Sequence, residues 1–196
     1  MNETRAGLPI RAFADAASWE TWLAAQPGDC PGVWLKLAKA GSGVSSVSKA
    51  EAIDSALCHG WIDGQLHPYD ARFWLIRFTP RKARSKWSTK SRARAIELIA
   101  EGRVAAGGLA EIDAAKADGR WEAAYAGQAS ATVPDDLAAA LDARPVARRF
   151  FDGLDAGNRY AITYRIEDAK RPETRSARIA KFVEMCAIGE TVHPRK

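Results

Sequence analysis

The chain has 196 residues, of which 47% are hydrophobic and 27% charged, and this composition excludes a disordered or fibrous protein. No apolar run approaches the roughly 18 residues of a membrane-spanning helix, and the N-terminus lacks the pattern of a signal peptide, so we expect a cytoplasmic protein with no membrane insertion. A formal net charge of +5 favours an anionic partner, although a solvated basic surface without a partner is equally consistent with it.

The first half of the chain alternates short strands with helices. Strands are predicted at LPIRAF and VWLKLAK, with a helix over ADAASWETWLAAQ between them. In the next helix, SKAEAIDSALCHG, Ser48 and Glu51 form a capping box and Gly60 provides the terminating glycine. The segments WIDGQL and RFWLIRFT are then expected to pair as a hairpin through the turn HPYDA.

The second half is predicted to be helical. A helix that begins at Ser85 or Ser88 covers STKSRARAIELIAEG. Its predicted apolar stripe consists of Ala95, Ile96, Leu98 and Ile99. Further helices are predicted within AGGLAEIDAAKADGRWEAAY, DDLAAALDA, PVARRFFDGL, NRYAITYRIEDAK and PETRSARIAKFVEMCAIG. In the last of these, Pro172 occupies the first helical position, the apolar face includes Ile179, Phe182, Val183 and Cys186, and Gly189 follows the end.

These patterns predict the α+β fold class: a small antiparallel sheet with packed helices in the N-terminal half, and a mostly helical C-terminal half. The linker-like stretch GQASATVPDD separates an α+β domain at residues 1–126 from a helical region at residues 134–196. The two are expected either to be separate domains or to pack together as one unit.

Positive charge is concentrated in residues 72–103, which contain ten basic and two acidic residues. On the strand RFWLIRFT, Arg72 lies on one face and Arg77 on the other, each in line with apolar neighbours. Burying an unpaired guanidinium costs several kcal/mol, so an arginine on the buried face needs an anionic group. Asp63 on the partner strand is expected to supply it, either as a bridge that only stabilises the hairpin or as part of an anion-binding cleft.

The segment TPRKARSKWSTKSRAR supplies the second part of the candidate cleft. Cations surround Ser85 and Trp87 there, and the free N–H groups at the start of the following helix also favour anions. We therefore expect an anionic small molecule, or an acidic group of a protein partner, to bind in a cleft lined by arginine and tryptophan. The candidate ligand-binding residues are Trp61, Asp63, Arg72, Arg77, Arg81, Ser85 and Trp87.

The sequence contains no GxSxG, HExxH, Walker A or GxGxxG motif and no CxxC pair. We therefore predict no catalytic residue, cofactor or metal site, and we favour a non-enzymatic binding protein. An enzyme that uses Asp63 as acid/base is one alternative. A nucleic-acid-binding module is the other, and it would use residues 72–103 together with a cationic stripe on the last helix. That stripe consists of Arg171, Arg175, Arg178 and Lys181.

The chain contains four segments in the order AEAIDSALCHGWIDGQ, RFTPRKARSKWS, GRWEAAY and AKRPETRSARIAKFVEM. Together they resemble the YdeI/OmpD-associated family, also called the bacteriocin-protection proteins, and the resemblance extends from about residue 10 to about residue 194. It implies a link to bacteriocin protection or envelope-stress tolerance, and it implies no particular reaction or cofactor. His59 stands where the resemblance leads us to expect a Tyr or Phe.

Overall fold

The computed structural model describes residues 3–194, and the chain forms two compact units that divide between Ala124 and Tyr125. The first unit contains strands β1 (Thr4–Arg5), β2 (Leu8–Ala12), β3 (Val33–Ala38), β4 (Trp61–Pro68) and β5 (Phe73–Pro80), and helices α1 (Ala16–Ala24), α2 (Lys49–Cys58), α3 (Thr89–Ala100) and α4 (Ala106–Ala117). The second contains α5 (Asp135–Asp142), α6 (Pro145–Asp152), α7 (Ala156–Glu167) and α8 (Pro172–Ala187). The α+β fold class is confirmed. Within the described range, every helix is too short or too polar to cross a bilayer.

The described strands form one sheet in the order β1-β2-β3-β5-β4. β2 and β3 run parallel, because α1 carries the chain back across the sheet between them. The other neighbouring pairs are antiparallel, and they include the predicted hairpin of β4 and β5. The sheet is therefore mixed, where the sequence led us to expect an antiparallel one.

Helices α1 and α2 cover one face of this sheet. Alternate side chains of the central strands, among them Leu35 and Ile76, pack there against Trp19 of α1 and Ala52 of α2, and all four are fully buried. The Trp19 Nε1–H also donates a hydrogen bond to the Ala52 carbonyl oxygen at 3.1 Å. This contact satisfies the polar atom of the indole in the middle of the main core.

Both ends of α2 are fixed by residues that the sequence identified. Ser48 and Glu51 form the predicted capping box, and Gly60 has a φ of 76°, in the left-handed region. Just beyond Gly60, α4 approaches the end of α2 very closely. A Cβ added to Gly108 of α4 would lie 2.3 Å from the Cys58 carbonyl oxygen, so this approach requires glycine.

The predicted apolar stripe of α3 is only half correct. Ala95 and Leu98 are buried in a cluster that includes Trp87, but Ile96 and Ile99 are 54% and 38% exposed. The helix contacts the rest of the unit along one narrow line of side chains at i, i+3 spacing. The neighbouring positions around the helix therefore face outward.

The second unit buries a core of its own, which α5, α6, α7 and α8 form together. The predicted apolar face of α8 is confirmed for Phe182, Val183 and Cys186, which are buried, while Ile179 is half-buried beside them. Pro172 begins α8, as the sequence predicted, because the first turn of a helix needs no N–H donor at that position.

Candidate functional site

The side chain of Asp63 does not meet the two arginines of the β5 segment. Asp63 is exposed on β4 and lies opposite Phe78, so it is on the other face of the sheet from Arg77. Arg72 is exposed just before β5 begins, far from Asp63 along the strand. Neither arginine forms an ion pair with a carboxylate of residues 3–194. The predicted bridge between Asp63 and an arginine is therefore wrong.

Arg77 lies in the middle of β5, half-buried and opposite Trp34 of β3. Its Nε atom is buried and has no hydrogen-bond partner within residues 3–194. A buried donor without an acceptor costs about 1–3 kcal/mol. As the sequence suggested, Arg77 is therefore a partly buried guanidinium whose Nε–H has no acceptor among the described residues.

The segment after β5, residues 80–88, forms the arginine–tryptophan loop. The Arg81 guanidinium lies on the Trp87 ring, with Cζ 3.7 Å from the ring centroid, and Nη1 donates to the Lys86 carbonyl oxygen at 3.3 Å. Both side chains are buried, with exposures of 6% and 1%. Trp87 also packs edge-on against Trp121, with ring centroids 4.8 Å apart. The stacked pair is therefore packed against Lys86 and Trp121. The sequence had led us to expect an open cleft there.

Ser85 has a structural role in the same loop. Its Oγ accepts the Lys82 N–H at 2.9 Å, and its carbonyl oxygen accepts from Arg120 Nη1 at 3.0 Å. Helix α3 is capped by Ser88, whose Oγ accepts the Ser91 N–H at 3.0 Å. Of the two predicted caps, Ser88 is therefore the correct one, and Ser85 stabilises the turn that precedes it.

Trp61 belongs to a different part of the first unit. Its ring is buried in the main core and packs edge-on against Trp22, with 5.6 Å between centroids. Trp61 and Trp87 lie in separate hydrophobic clusters, so they do not form two walls of one cleft. The fold brings together Arg81, Ser85 and Trp87, and it leaves apart Trp61, Asp63, Arg72 and Arg77.

Much of the basic stretch at residues 72–103 is neutralised inside the unit. Arg94 makes a two-pronged contact with Asp54, with Nη2 2.7 Å from one carboxylate oxygen. These hydrogen bonds to Asp54 raise the pKa of Arg94 above its usual value. Arg103 lies 3.6 Å from Glu20. The summed charge of this stretch therefore overstates the positive field that it presents to a partner.

The cationic stripe of α8 is interrupted in the same way. Arg175 pairs with Asp136 through Nε at 2.6 Å and Nη2 at 2.8 Å. Arg178 lies 3.8 Å from Asp168. The other two cations of the stripe are exposed. Half of the stripe therefore contributes to the packing of the second unit, which weakens its predicted role in binding nucleic acid.

A cavity of about 480 Å³ opens beside the segment between β3 and α2. Residues 39–48 are named the glycine–serine loop. This loop follows the carboxyl end of β3, and its Val47 N–H donates at 3.1 Å to the carbonyl oxygen of Phe13, just after β2. The cavity itself lies at the carboxyl end of β3, beside the start of α2 and the Trp74 side chain of β5.

Internal hydrogen bonds order the glycine–serine loop. The Ser46 Oγ accepts the Ala38 N–H at 2.9 Å, which ties the loop to the last residue of β3. Gly41 and Gly43 have φ values of 77° and 70°, which glycine adopts without strain because it has no Cβ. The loop is therefore a built wall of the cavity, and its backbone runs along the opening.

Two lysines supply the charge of the cavity wall. Lys39 Nζ donates to the Asp70 carbonyl oxygen at 2.6 Å, and Lys49 Nζ lies 5.6 Å from the centroid of the Trp74 ring. Among the described residues that line the cavity, none is acidic. At the start of α2, the capping box already provides acceptors for the Ser48 and Glu51 N–H groups. The positive charge at the cavity therefore comes from the two lysines. The wall combines two cations, an aromatic ring and loop backbone.

This cavity was not predicted from the sequence. Its signal is the order of a strand, a loop rich in glycine and serine, and a helix, with a lysine at either end of the loop. Apart from Lys39, the loop contains only small side chains and two valines, so it has none of the bulky residues that mark the arginine–tryptophan loop.

The cysteines show no arrangement that indicates catalysis. Cys30, Cys58 and Cys186 are free thiols. Burial raises the pKa of the Cys58 and Cys186 thiols, which favours their unreactive protonated form. Within residues 3–194, no three side chains of His, Cys, Asp or Glu are placed to hold a metal ion.

Family models match the two halves of the chain separately. Residues 11–111 match the model described as Domain of unknown function (DUF8412). Residues 130–189 match the model described as Bacteriocin-protection, YdeI or OmpD-Associated, which confirms the resemblance for that part of the chain. Searches of curated proteins and of solved structures gave no match. Both loops described above lie within the first match.

Proposed function

Because this chain belongs to the family described as Domain of unknown function (DUF8412), with a C-terminal segment that matches the bacteriocin-protection, YdeI or OmpD-associated model, we propose its function from the site itself. The protein binds a small anionic molecule in the cavity beside the glycine–serine loop. The observation that supports this proposal is a cavity of about 480 Å³ whose charged lining residues are lysines.

The size and chemistry of the cavity suit a small molecule. Ligand sites commonly enclose about 300–1,000 Å³ and combine apolar walls with a few polar groups. Lys39 and Lys49 supply compact point charges for a phosphate or carboxylate. The Trp74 ring, together with Leu37 and Val47, supplies an apolar wall for the remainder of the ligand.

The proposal keeps the ligand class that the sequence suggested and changes the residues that bind it. Arg81, Ser85 and Trp87 are engaged with one another and with their neighbours in the arginine–tryptophan loop. Asp63 is exposed on an edge strand and lines no part of the cavity, so the acid/base alternative gains no support.

We place this activity in the cytoplasm. Free thiols, two of them buried, are typical of a reducing compartment and support that location. A contribution to bacteriocin or envelope-stress tolerance is part of the same proposal, and its support is the family description matched by residues 130–189. An effect on the envelope would then be indirect and would act through the bound anion.

A thermal-unfolding screen tests the binding proposal. The purified protein is heated with inorganic phosphate, ATP, citrate or a glutamate-rich peptide, each at millimolar concentration. A ligand at about 100 times its Kd stabilises the folded state by about 2.7 kcal/mol, which raises Tm by several degrees. At least one of the small anions is expected to produce such a rise, and the response separates phosphates from carboxylates.

Matched lysine substitutions locate the site. Lys39→Gln and Lys49→Gln are each expected to reduce the rise in Tm strongly, since each removes one charge from the cavity wall. Lys90→Gln removes the same charge from an exposed position of α3 and is expected to keep the full rise. An equal response in all three variants, or no rise with any small anion, would contradict the proposal.

A further inference from the structure

The first unit has a second sheet face, opposite the one that α1 and α2 cover. The strand register places on it Trp34 and Lys36 of β3 and Phe73, Leu75 and Arg77 of β5. The apolar cluster on this face contains side chains from strands and from the β4–β5 turn only. Trp34 and Leu75 are buried on this face, while Lys36, Phe73 and Arg77 are half-buried around them.

Cations lie at several points across the second sheet face. Arg5 and Arg72 lie over aromatic rings, with Cζ 5.5 Å from the Trp34 centroid and 5.9 Å from the Phe73 centroid. Lys36 Nζ is 4.2 Å from the centroid of Tyr69 in the turn. Arg77 adds a half-buried guanidinium whose buried Nε has no acceptor within residues 3–194.

The carboxylates near this face compensate only part of its charge. Glu3 pairs with Lys36 at 2.8 Å and accepts a hydrogen bond from the Tyr69 hydroxyl. Asp70 accepts the backbone N–H groups of Arg72 and Phe73, and its carboxylate also interacts electrostatically with the side chains of Arg72 and Lys36. Arg5 and Arg77 have no ion pair with any carboxylate in the described part of the chain. The surface therefore keeps an excess of positive charge.

The spacing of the cations decides what kind of anion fits. Trp34 lies opposite Arg77, four residues along β5 from Phe73. At about 3.3 Å per residue and about 4.8 Å between strands, Trp34 and Phe73 are roughly 14 Å apart. One phosphate or carboxylate cannot contact cations held above both rings. A chain with repeated negative charges can contact them all at once.

We propose that the second sheet face binds single-stranded nucleic acid. Phosphates would contact the guanidinium groups of Arg5 and Arg72 and the accessible part of the half-buried Arg77 guanidinium. The half-buried ring of Phe73 lies close to Arg72, and the half-buried ring of Tyr69 lies close to Lys36; we take both rings as surfaces for base stacking. An acidic peptide would use the cations and leave the rings without a stacking partner, so the combination favours nucleic acid.

Fluorescence anisotropy with a short labelled oligothymidine or oligouridine tests the inference in the intact protein. Binding is expected to weaken steeply with salt, and Arg72→Gln/Arg77→Gln should weaken it at least tenfold and make the salt dependence shallower by about two phosphate contacts. The matched control is Lys82→Gln/Arg84→Gln, which removes two exposed charges from the same basic stretch. It should change the affinity less than threefold.

Further variants keep the outcome clear. Arg77→Lys, which keeps the charge, should bind better than Arg77→Gln, and Phe73→Leu should lose several-fold in affinity through stacking. Lys49→Gln should bind the oligonucleotide normally, which separates this inference from the proposed anion cavity. The inference is overturned if the wild-type protein does not bind the oligonucleotide, if both double variants lose equal affinity, or if polyglutamate binds as tightly as the oligonucleotide.

Discussion

The arginine–tryptophan loop and the glycine–serine loop differ in how they use their side chains. In the first, Arg81 is buried against Trp87, and Ser85 accepts hydrogen bonds from its own loop and from Arg120. In the second, small side chains order the backbone through hydrogen bonds such as that from the Ala38 N–H to the Ser46 Oγ, and a cavity lies beside the loop. The loop with the more conspicuous sequence is therefore the closed one.

This difference has a simple physical cause. A guanidinium and an indole that stack in a buried position have lost their hydration, and each becomes the other's main partner. Such a pair is then committed to the fold through its stacked faces, while the Trp87 Nε1–H is buried without an acceptor within residues 3–194. Glycine and serine fill little volume, so a loop made from them can be ordered and still leave space next to charged neighbours.

The largest expected effect separates two tryptophans. Trp87→Ala should destabilise the first unit by about 3–5 kcal/mol, because it empties a fully buried site and removes the surface on which Arg81 lies. Trp74→Ala, at the half-buried wall of the cavity, should cost clearly less and should weaken anion binding. Urea unfolding of both variants measures the difference. Equal losses of stability would remove the distinction between the loops.

Arg81→Met tests whether the stacked arginine is structural. The variant should lose about 1–2 kcal/mol of unfolding free energy, since the cation–π contact and the hydrogen bond to the Lys86 carbonyl both disappear. Arg84→Met, at an exposed position of the same loop, should stay within about 0.5 kcal/mol of the wild type. If Arg81→Met leaves stability intact and abolishes ligand binding, the loop is a binding site after all.

The sequence was sufficient where local chemistry determines the structure. The capping box of Ser48 and Glu51, the terminating Gly60 and the β4–β5 hairpin depend on residues close together in the chain, and all were predicted. The exposure of Ile96 depends on which neighbours α3 meets, and periodicity alone does not contain that information.

The site was harder to predict because it depends on long-range placement. Arg81 and Trp87 lie close in the chain and do meet, but whether the pair borders solvent depends on Trp121. The cavity depends on the approach of Trp74 of β5 to the loop between β3 and α2, and these residues are far apart in the sequence.

Ser46→Ala tests whether the order of the glycine–serine loop matters for anion binding. The Ser46 Oγ accepts the Ala38 N–H at 2.9 Å, so its loss should cost about 1 kcal/mol and loosen the cavity wall. Anion affinity should fall with it. Ser42→Ala is the matched control for stability, because the 3.4 Å contact that its Oγ accepts from the Val44 N–H is long and weak. Anion binding that survives Ser46→Ala unchanged would show that the loop is not part of the site.

The smallest expected effect concerns pH at the other end of α2, where His59 ends the helix near the arginine–tryptophan loop. Burial lowers the pKa of His59 below its usual value of 6.5, while the Glu20 carboxylate acts in the opposite direction. The unfolded chain therefore binds a proton more readily than the folded one, so stability is full above about pH 6.5 and falls as the pH drops toward the folded pKa.

His59→Phe removes this titration, and its unfolding free energy should decrease less than that of the wild type between about pH 7.5 and about pH 5. His67→Gln, which removes a histidine from β4, is the matched control. If the unfolding free energies of His59→Phe and the wild type change equally with pH, the protonation of His59 is not linked to folding.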